Sequence, residues 1–400
     1  MRLVILTQYF SPEIGAPQNR LLELAKGFIK DGWEILVITG MPNYPKGKIF
    51  EAYKGKFTSE ETIEGISTKR YWLYASISSK SFPRIVSMIT FSATSLFSYS
   101  MIRKFKPDYL FVESPPLTLA MSGYILSIIS GAKLIMNVSD IWPLSAKELG
   151  VIGDGFLYRQ IEKLEKFLYR KSFLCTGQSE EIVSHICKSK TVKKPYLFRN
   201  GVDIKRFVVQ KRSNYPGNLK IVYAGLLGVA QGIPDIAKNI NFAELGAEFH
   251  IYGEGSGKKI LEDFLMENGE RNVFLHKSIG RNEIPDVISN YDCTIIPLVI
   301  NIYGAVPSKI YEAMAAGLPI LFSGSGEGSK IVSENKAGLV SGPRDFKKLI
   351  SNIIELKNSP ELRNEMALNC RRTAETKFDR NKLTEDFSRK LRDFEKEKQQ

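Results

Sequence analysis

Short, almost wholly apolar runs recur along the chain, and each is followed by a stretch in which apolar residues return every three or four positions. RLVILTQYF is the first run; NRLLELAKGFIKDG then places Leu21, Leu22, Leu24, Ala25 and Phe28 on one side of a helix, and WEILVITG is apolar again. YLFVES, KLIMNVSD and FLCTG continue the series, with a helix over GFLYRQIEKLEKFLYRKS before the last. Strands with no polar face must be covered on both sides, and alternation with helices makes their sheet parallel. Near Pro195 to Tyr215 the pattern gives way to a polar, turn-rich segment, the expected linker. A second series follows: LKIVYAG, a helix after Gly232, EFHIYGEG, a helix over KKILEDFLMENG, NVFLHK, DCTIIPL, a helix over SKIYEAMAAG, LPILFSG and AGLVSG. Two consecutive open α/β domains bind ligands beyond the carboxyl ends of their strands. The last stretch, from about Pro360, is charged and helical and can return to the first domain.

Length agrees with this division, because 400 residues exceed one typical domain and allow two cores. Hydrophobic residues at 43% and charged residues at 25% exclude a largely disordered chain. Cys175, Cys187, Cys293 and Cys370 lie far apart with no CxxC pair, which favours a reducing compartment over a disulfide framework or zinc site. His185, His250 and His276 are not at metal-ligand spacing in sequence, so no resident transition metal is expected. The opening MRLVILTQYF reads as a strand and not as a secretory signal.

Charge is uneven. Residues 1–210 hold 29 Lys and Arg against 18 Asp and Glu, leaving +11 of the chain's +13 in the first half. Such a bias fits nucleic acid, an anionic leaflet or a phosphorylated substrate, and the lack of any nucleic-acid module demotes the first. Two uncharged stretches, Arg84 to Arg103 and Glu113 to Lys133, approach the roughly 20 residues of a spanning helix. In the first, Ser87, Thr90, Thr94 and Ser98 form a hydroxylated stripe, with Ile85, Met88, Ile89, Leu96 and Tyr99 elsewhere on the wheel. That pattern predicts a buried or membrane-lying helix, bracketed by Lys80, Arg84, Arg103, Lys104 and Lys106, and not a spanning one.

The segment VPSKIYEAMAAGLPILFSGSGEG carries the densest candidate chemistry. Pro307 and Ser308 lead into a helix with Lys309 in its first turn and Glu312 one turn later. Free N–H groups and Lys309 suit a phosphate, and Glu312 can accept hydrogen bonds from sugar hydroxyls; the plainer reading is a capping Ser308 on a solvated helix. In YAGLLGVAQG, Gly225, Gly228 and Gly232 surround Gln231 after a strand, a ligand-approach loop or an ordinary turn. Gly253 in YGEG ends another strand in the same way. In FSPEIGAPQNR, Gly15 lies between a strand and a helix carrying Arg20. Asp140 in NVSDIWPLSAKELG and Glu113 in FVESPPL stand at carboxyl ends of apolar strands, where a carboxylate either faces a ligand or caps a loop.

Taken in order, YFSPEIGAPQNRLLELA, TGMPNYPKG, VESPPL, NVSDIWPLSAKELGV, NGVD, YAGLLGVAQG, YGEG and PSKIYEAMAAGLPI resemble the GT4-type retaining glycosyltransferases of the GT-B fold. The resemblance spans nearly the whole chain and is greatest to the WbuB-like, L-fucosamine transferase-like subgroup that builds O-antigen and capsule. It implies an α/β architecture of two Rossmann-like domains facing across a central cleft. Residues 1–205 would bind acceptor, residues 206–375 would bind the nucleotide-sugar, and a C-terminal helix over 376–400 would pack back on the first domain. Glu312 matches the family glutamate that holds the ribose. Gly225, Gly228, Gln231, Gly232, Gly253, Ser278, Ser308 and Lys309 would line the donor site, and Gly15 matches the loop beside the diphosphate. No metal or other cofactor is implied.

Three positions depart from the family pattern. Gly304 stands where a first glutamate is usual, Gln231 where a basic residue is usual, and Ser139 where many members carry a histidine. Catalytic roles therefore fall on Asp140, Lys309 and Glu113. The expected reaction is retaining transfer of a sugar, an N-acetylated amino or deoxyamino sugar among the candidates, from a UDP-sugar to a polyprenyl-diphosphate-linked glycan. It would run without nucleic acid, in the cytoplasm on the inner face of an anionic membrane. A nucleotide-sugar epimerase and a non-catalytic nucleotide- or glycan-binding scaffold subunit are the alternatives.

Overall fold

The computed structural model describes residues 1–13, 15–76, 81–209, 217–300 and 302–397. Lys80 and residues 210–216 of the expected linker lie outside them. The chain forms two compact units, residues 1–199 with 381–400 and residues 200–380. These boundaries differ by several residues from 205/206 and 375/376, for a physical reason. Val202 bridges to Asp379, its N–H donates to the Phe378 carbonyl at 2.8 Å, and Ile204, Phe207 and Phe378 are buried in one apolar cluster. That stretch of the expected linker is packed into the second unit.

The first unit contains strands β1 (Arg2–Leu6), β2 (Glu34–Gly40), β3 (Thr58–Ile63), β4 (Ile66–Tyr71), β5 (Tyr109–Ser114), β6 (Lys133–Val138), β7 (Leu174–Gly177) and β8 (Tyr196–Leu197). Among the described residues they form one sheet in the order β3-β4-β2-β1-β5-β6-β7-β8, parallel except for the β3–β4 pair. The central strand is apolar because both its faces are covered, and Leu3, Val4, Ile5 and Leu6 are wholly buried. Helix Ala16–Lys30 buries Leu21, Leu24, Ala25 and Phe28, each large side chain stabilising the fold by about 1.5–3 kcal/mol. Phe28 meets Phe387 edge to face at 6.0 Å, and Trp33 Nε1 donates to Ser388 Oγ at 2.7 Å, so the helix Arg380–Lys396 completes this core.

Helix Ser81–Ser95, continued by a 3₁₀ turn over Leu96–Ser98 and helix Tyr99–Phe105, is turned inside out relative to an ordinary surface helix. Its buried side is hydroxylated: Ser87, Ser92, Thr94, Ser95 and Ser98 are all buried. Gln8 Nε2 donates to Ser87 Oγ at 3.2 Å, Ser92 Oγ to Thr118 Oγ1 at 2.9 Å, and Thr94 Oγ1 to the Trp72 carbonyl at 2.6 Å.

The second unit contains β9 (Leu219–Ala224), β10 (Ala247–Tyr252), β11 (Val273–His276), β12 (Cys293–Pro297), β13 (Ile320–Ser323) and β14 (Gly338–Ser341). Among the described residues they form a parallel sheet in the order β11-β10-β9-β12-β13-β14, the doubly wound arrangement in which strand order reverses between β9 and β12. One face packs Ile233, Ile236, Leu261 and Leu349, the other Ile310, Met314, Ile331 and Cys370. Crevices form where such an order reverses, which directs attention to the loops after β9 and β12.

Candidate functional site

In the second unit, the loop after β9 is locked to its neighbours by the backbone. Gly225 N–H donates to the Tyr252 carbonyl and Leu227 N–H to the Glu254 carbonyl, both at 2.8 Å, while Val299 N–H donates to the Ala230 carbonyl at 2.9 Å. Such close approach leaves no room for side chains. A Cβ on Gly253 would fall 2.0 Å from the Gly225 carbonyl oxygen, which explains that glycine by packing alone. Beneath the turn, buried Tyr223 donates its hydroxyl to the Leu226 carbonyl at 2.6 Å.

Lys309 opens helix Lys309–Ala315 and crosses to this turn. A Cβ on Gly225 would lie 2.2 Å from Lys309 Nζ, and Gly225 has a φ of +156°, so glycine there serves both the backbone and the ammonium above it. Nζ is 5.7 Å from the centre of the Tyr223 ring, a cation–π contact. Among the described residues Lys309 makes no hydrogen bond or ion pair. Loss of solvent pushes its pKa down, opposed by the negative charge of Glu312. A cation held where its charge is disfavoured attracts an anion strongly.

Gln231 closes the same turn: its N–H donates to the Gly228 carbonyl at 3.3 Å, and a Cβ on Gly228 would lie 2.6 Å from Gln231 Oε1. Gly232 follows as the residue before helix Ile233–Asn239. Gly225, Gly228, Gln231, Gly232, Gly253 and Lys309 thus gather at one place. Ser308 makes no side-chain cap, so the capping reading fails; its carbonyl accepts from Tyr311 and Glu312 N–H. The helix that it precedes has only seven residues, so the point charge of Lys309 outweighs its dipole. Glu312 is half-buried one turn on, with no side-chain hydrogen bond or ion pair among the described residues. Ser278 is exposed two residues beyond β11, and Gly304, at the departing glutamate position, is buried.

In the first unit, the ends of β5, β6 and β7 carry a polar network inside apolar strands. Glu113 is buried and pairs with Arg20, accepts from the Ser139 hydroxyl, and accepts from Asn137 Nδ2 at 2.7 Å. Arg20 also donates to Ser139 Oγ at 3.1 Å, and Thr176 Oγ1 donates to Asn137 Oδ1 at 2.7 Å. Glu113 is therefore saturated, which suits a positioning group better than a reacting one. Asp140, next along the chain, makes no hydrogen bond or ion pair among the described residues. Solvent reaches it, yet thinned solvation, followed by the negative charge of Glu113, raises its pKa to about 6 against the pull of Arg20. A group titrating there can take or hold a proton near neutrality.

Gly15 has extended backbone before helix Ala16–Lys30, and the buried Gln18 side chain folds over it. A Cβ on Gly15 would lie 2.3 Å from Gln18 Oε1, so this glycine admits a glutamine in the present structure. Sequence reasoning missed Glu13, whose buried carboxylate accepts from Asn43 and Tyr44 N–H at 2.8 Å each and from Phe10 N–H at 3.1 Å. Burial raises its pKa to about 7, and those three donors only partly offset the effect. The histidines, separate in sequence, are partly brought together by the β10–β11 register: His250 Nδ1 lies 2.9 Å from His276 Nε2. Among the described residues no group of three or more His, Cys, Asp or Glu is placed to hold a metal.

The chain is similar to known glycosyltransferases in sequence and in fold. Residues 211–359 match the family model described as "Glycosyl transferases group 1". The putative colanic acid biosynthesis glycosyl transferase WcaI of Escherichia coli is 25% identical over 336 residues, covering 79% of this chain and 82% of that protein. Among solved structures, sucrose-phosphate synthase from Thermosynechococcus elongatus superposes with a TM-score of 0.74 at 14% identity, covering 98% of this chain and 99% of that one. Anabaena Alr3699/HepE, solved in complex with UDP, superposes with a TM-score of 0.72 at 15% identity, covering 98% and 100%. These solved neighbours share the GT-B fold.

Proposed function

We propose that this group 1 glycosyltransferase of the GT-B fold moves a sugar, with retention, from a UDP-sugar to a lipid-linked glycan in bacterial surface polysaccharide assembly. The observation that carries the donor half is Lys309 Nζ standing over Gly225 where strand order reverses in the second unit. A nucleoside diphosphate brings the negative charge that this ammonium lacks, and Glu312 one turn on can accept from the ribose hydroxyls. HepE, of the same fold, is solved with UDP and with UDP-glucose, which supports a uridine donor here. Similarity to WcaI supports an exopolysaccharide or O-antigen-like product, with the WbuB-like subgroup and an amino or deoxyamino sugar as the finer reading.

On this reading catalysis is leaving-group stabilisation. As the glycosidic bond to the diphosphate breaks, negative charge grows on the departing oxygen, and Lys309 is already aimed there. The acceptor hydroxyl attacks from the face the diphosphate leaves and passes its proton to the departing diphosphate oxygen, so no enzyme nucleophile is used. Asp140 holds the acceptor hydroxyl, and Glu113, fixed by Arg20, Ser139 and Asn137, holds the loop carrying Asp140. The protein supplies the positive charge from Lys309 without a metal. Work on a polyprenyl-diphosphate acceptor would place the enzyme on the cytoplasmic face of the membrane, where the thiols of Cys175, Cys187, Cys293 and Cys370 stay reduced.

Incubating the purified chain with a panel of UDP-sugars and a polyprenyl-diphosphate saccharide tests the proposal by mass spectrometry. A glycan lengthened by one sugar is the expected result. An isomerised donor with no lengthened glycan would mean an epimerase, and intact donor with bound UDP would mean a scaffold subunit.

A further inference from the structure

The inverted helix of the first unit has an outer face that water does not explain. Phe82, Ile85, Ile89 and Phe97 are 74%, 44%, 49% and 61% exposed and recur at helical spacing along the run, with exposed Ala93 between the last two. Over those positions the stripe is roughly 22 Å long. The hydroxyls that would suit solvent are turned inward and hydrogen-bonded, as Ser87, Ser92 and Thr94 show. Beside it packs helix Leu117–Ser130, joined by the Ser122 hydroxyl donating to the Ser92 carbonyl at 2.7 Å, and this helix leaves Ile128 63% exposed. An aliphatic and aromatic band of this extent on a soluble unit marks an interaction surface.

Charge identifies what covers it. From Ser81 to Pro107 the sequence has four Lys or Arg and no Asp or Glu. Arg84 is exposed near one end of the stripe and Arg103, Lys104 and Lys106 are exposed beyond the other. We propose that this face docks on an anionic lipid leaflet, with Phe82, Ile85, Ile89 and Phe97 entering the acyl boundary and the flanking basic residues meeting lipid phosphates. The run Phe82–Phe105 is long and apolar enough to cross a membrane by length and composition. Its hydroxyl side is hydrogen-bonded into the first unit, so the helix lies along the surface instead of spanning it. Apolar insertion resists salt, whereas the basic contribution of about 1 kcal/mol per residue is screened by it. The inference stands on this face alone and does not depend on the proposed reaction.

Flotation of the full chain with vesicles of phosphatidylcholine plus phosphatidylglycerol, compared with phosphatidylcholine alone, tests it. The expected result is co-migration that favours the anionic vesicles, is weakened by salt, and falls at least about tenfold in the variant F82S/I85S/I89S/F97S. Because these side chains are exposed, the variant should melt with the parent protein; R84E/R103E/K104E, which leaves the apolar stripe intact, should lose the anionic preference. Failure to float at low salt, or equal flotation of the quadruple serine variant, would overturn the proposal. So would a dimer in sedimentation equilibrium that I85S/I89S dissolves, because the stripe would then be covered by a second copy.

Discussion

Among the described residues, the second unit carries a cation, Lys309, that no carboxylate pairs with, and the first carries a carboxylate, Asp140, that no cation pairs with. Lys309 reaches a turn made of glycines, where among the described residues no hydrogen bond or ion pair holds it and only the Tyr223 ring and the more distant charge of Glu312 act on it. Asp140 stands beside a carboxylate, Glu113, whose charge is already taken by Arg20. Both unpaired groups are shifted toward neutrality, Lys309 downward and Asp140 upward. Both lie in connections following parallel strands, yet they offer opposite chemistry: one suits an anion, the other a hydroxyl or a proton. Charge pairing within the fold, more than residue type, separates Asp140 from Glu113.

Removing Glu113 should have the largest effect and should act on stability. Glu113→Ala takes the carboxylate from the largely buried Arg20–Glu113 pair and from the Ser139 and Asn137 donors around it, at an expected cost of about 3–5 kcal/mol, read by chemical denaturation. A loss near zero would mean that Glu113 is not the fixed member of the pair. Lys309→Ala should spare the fold and lower turnover with UDP-sugar by about 2–4 kcal/mol of transition-state stabilisation, measured as UDP release. Near-normal turnover would remove Lys309 from the mechanism and erase the contrast. Glu312→Ala should weaken donor binding by roughly 1.5–3 kcal/mol with little change at saturation, since a charged acceptor for ribose hydroxyls is lost.

Asp140 gives the smallest but most specific signal. With a pKa raised to about 6 it is ionised above that pH and protonated below it. If the ionised form holds the acceptor, kcat/KM rises with pH to a plateau above about 6, and Asp140→Asn flattens that limb. Stability runs the other way. The folded state binds this proton more tightly than the unfolded chain, so Asp140 withdraws stability as pH rises from the ordinary carboxylate range to about 6. Asp140→Asn should therefore melt no lower than the parent at pH 7 while losing activity.

Much of the fold was legible because its strands have no polar face: the runs beginning at Arg2, Leu219 and Cys293 are buried central strands and read as such. The β3–β4 hairpin escaped because TSEETI is an exposed edge without an apolar pattern. Lys309 and the glycines near residue 225 were each visible as local signals, but their convergence was not, since 84 positions separate Gly225 from Lys309. The saturation of Glu113 depends on Arg20, which is 93 positions away. One signal was available and unused: Asn137 and Thr176 are polar residues inside apolar strands, where burial requires a hydrogen-bond partner. The hydroxyl stripe of Ser87, Thr90, Thr94 and Ser98 was legible, but only packing reveals that Ser87, Thr94 and Ser98 are buried and Thr90 half-buried.

If the turn at Gly225 and the ammonium of Lys309 form a receptor for a nucleoside diphosphate, UDP alone should bind there and should need the ammonium. Calorimetric titration of UDP into the parent protein and into Lys309→Ala, at pH 7 and fixed salt, tests it most directly. The parent should bind, with an affinity at least about tenfold weaker in the variant, equivalent to about 1.4 kcal/mol or more. Equal affinity in the two proteins, or no binding by a folded parent, would contradict it.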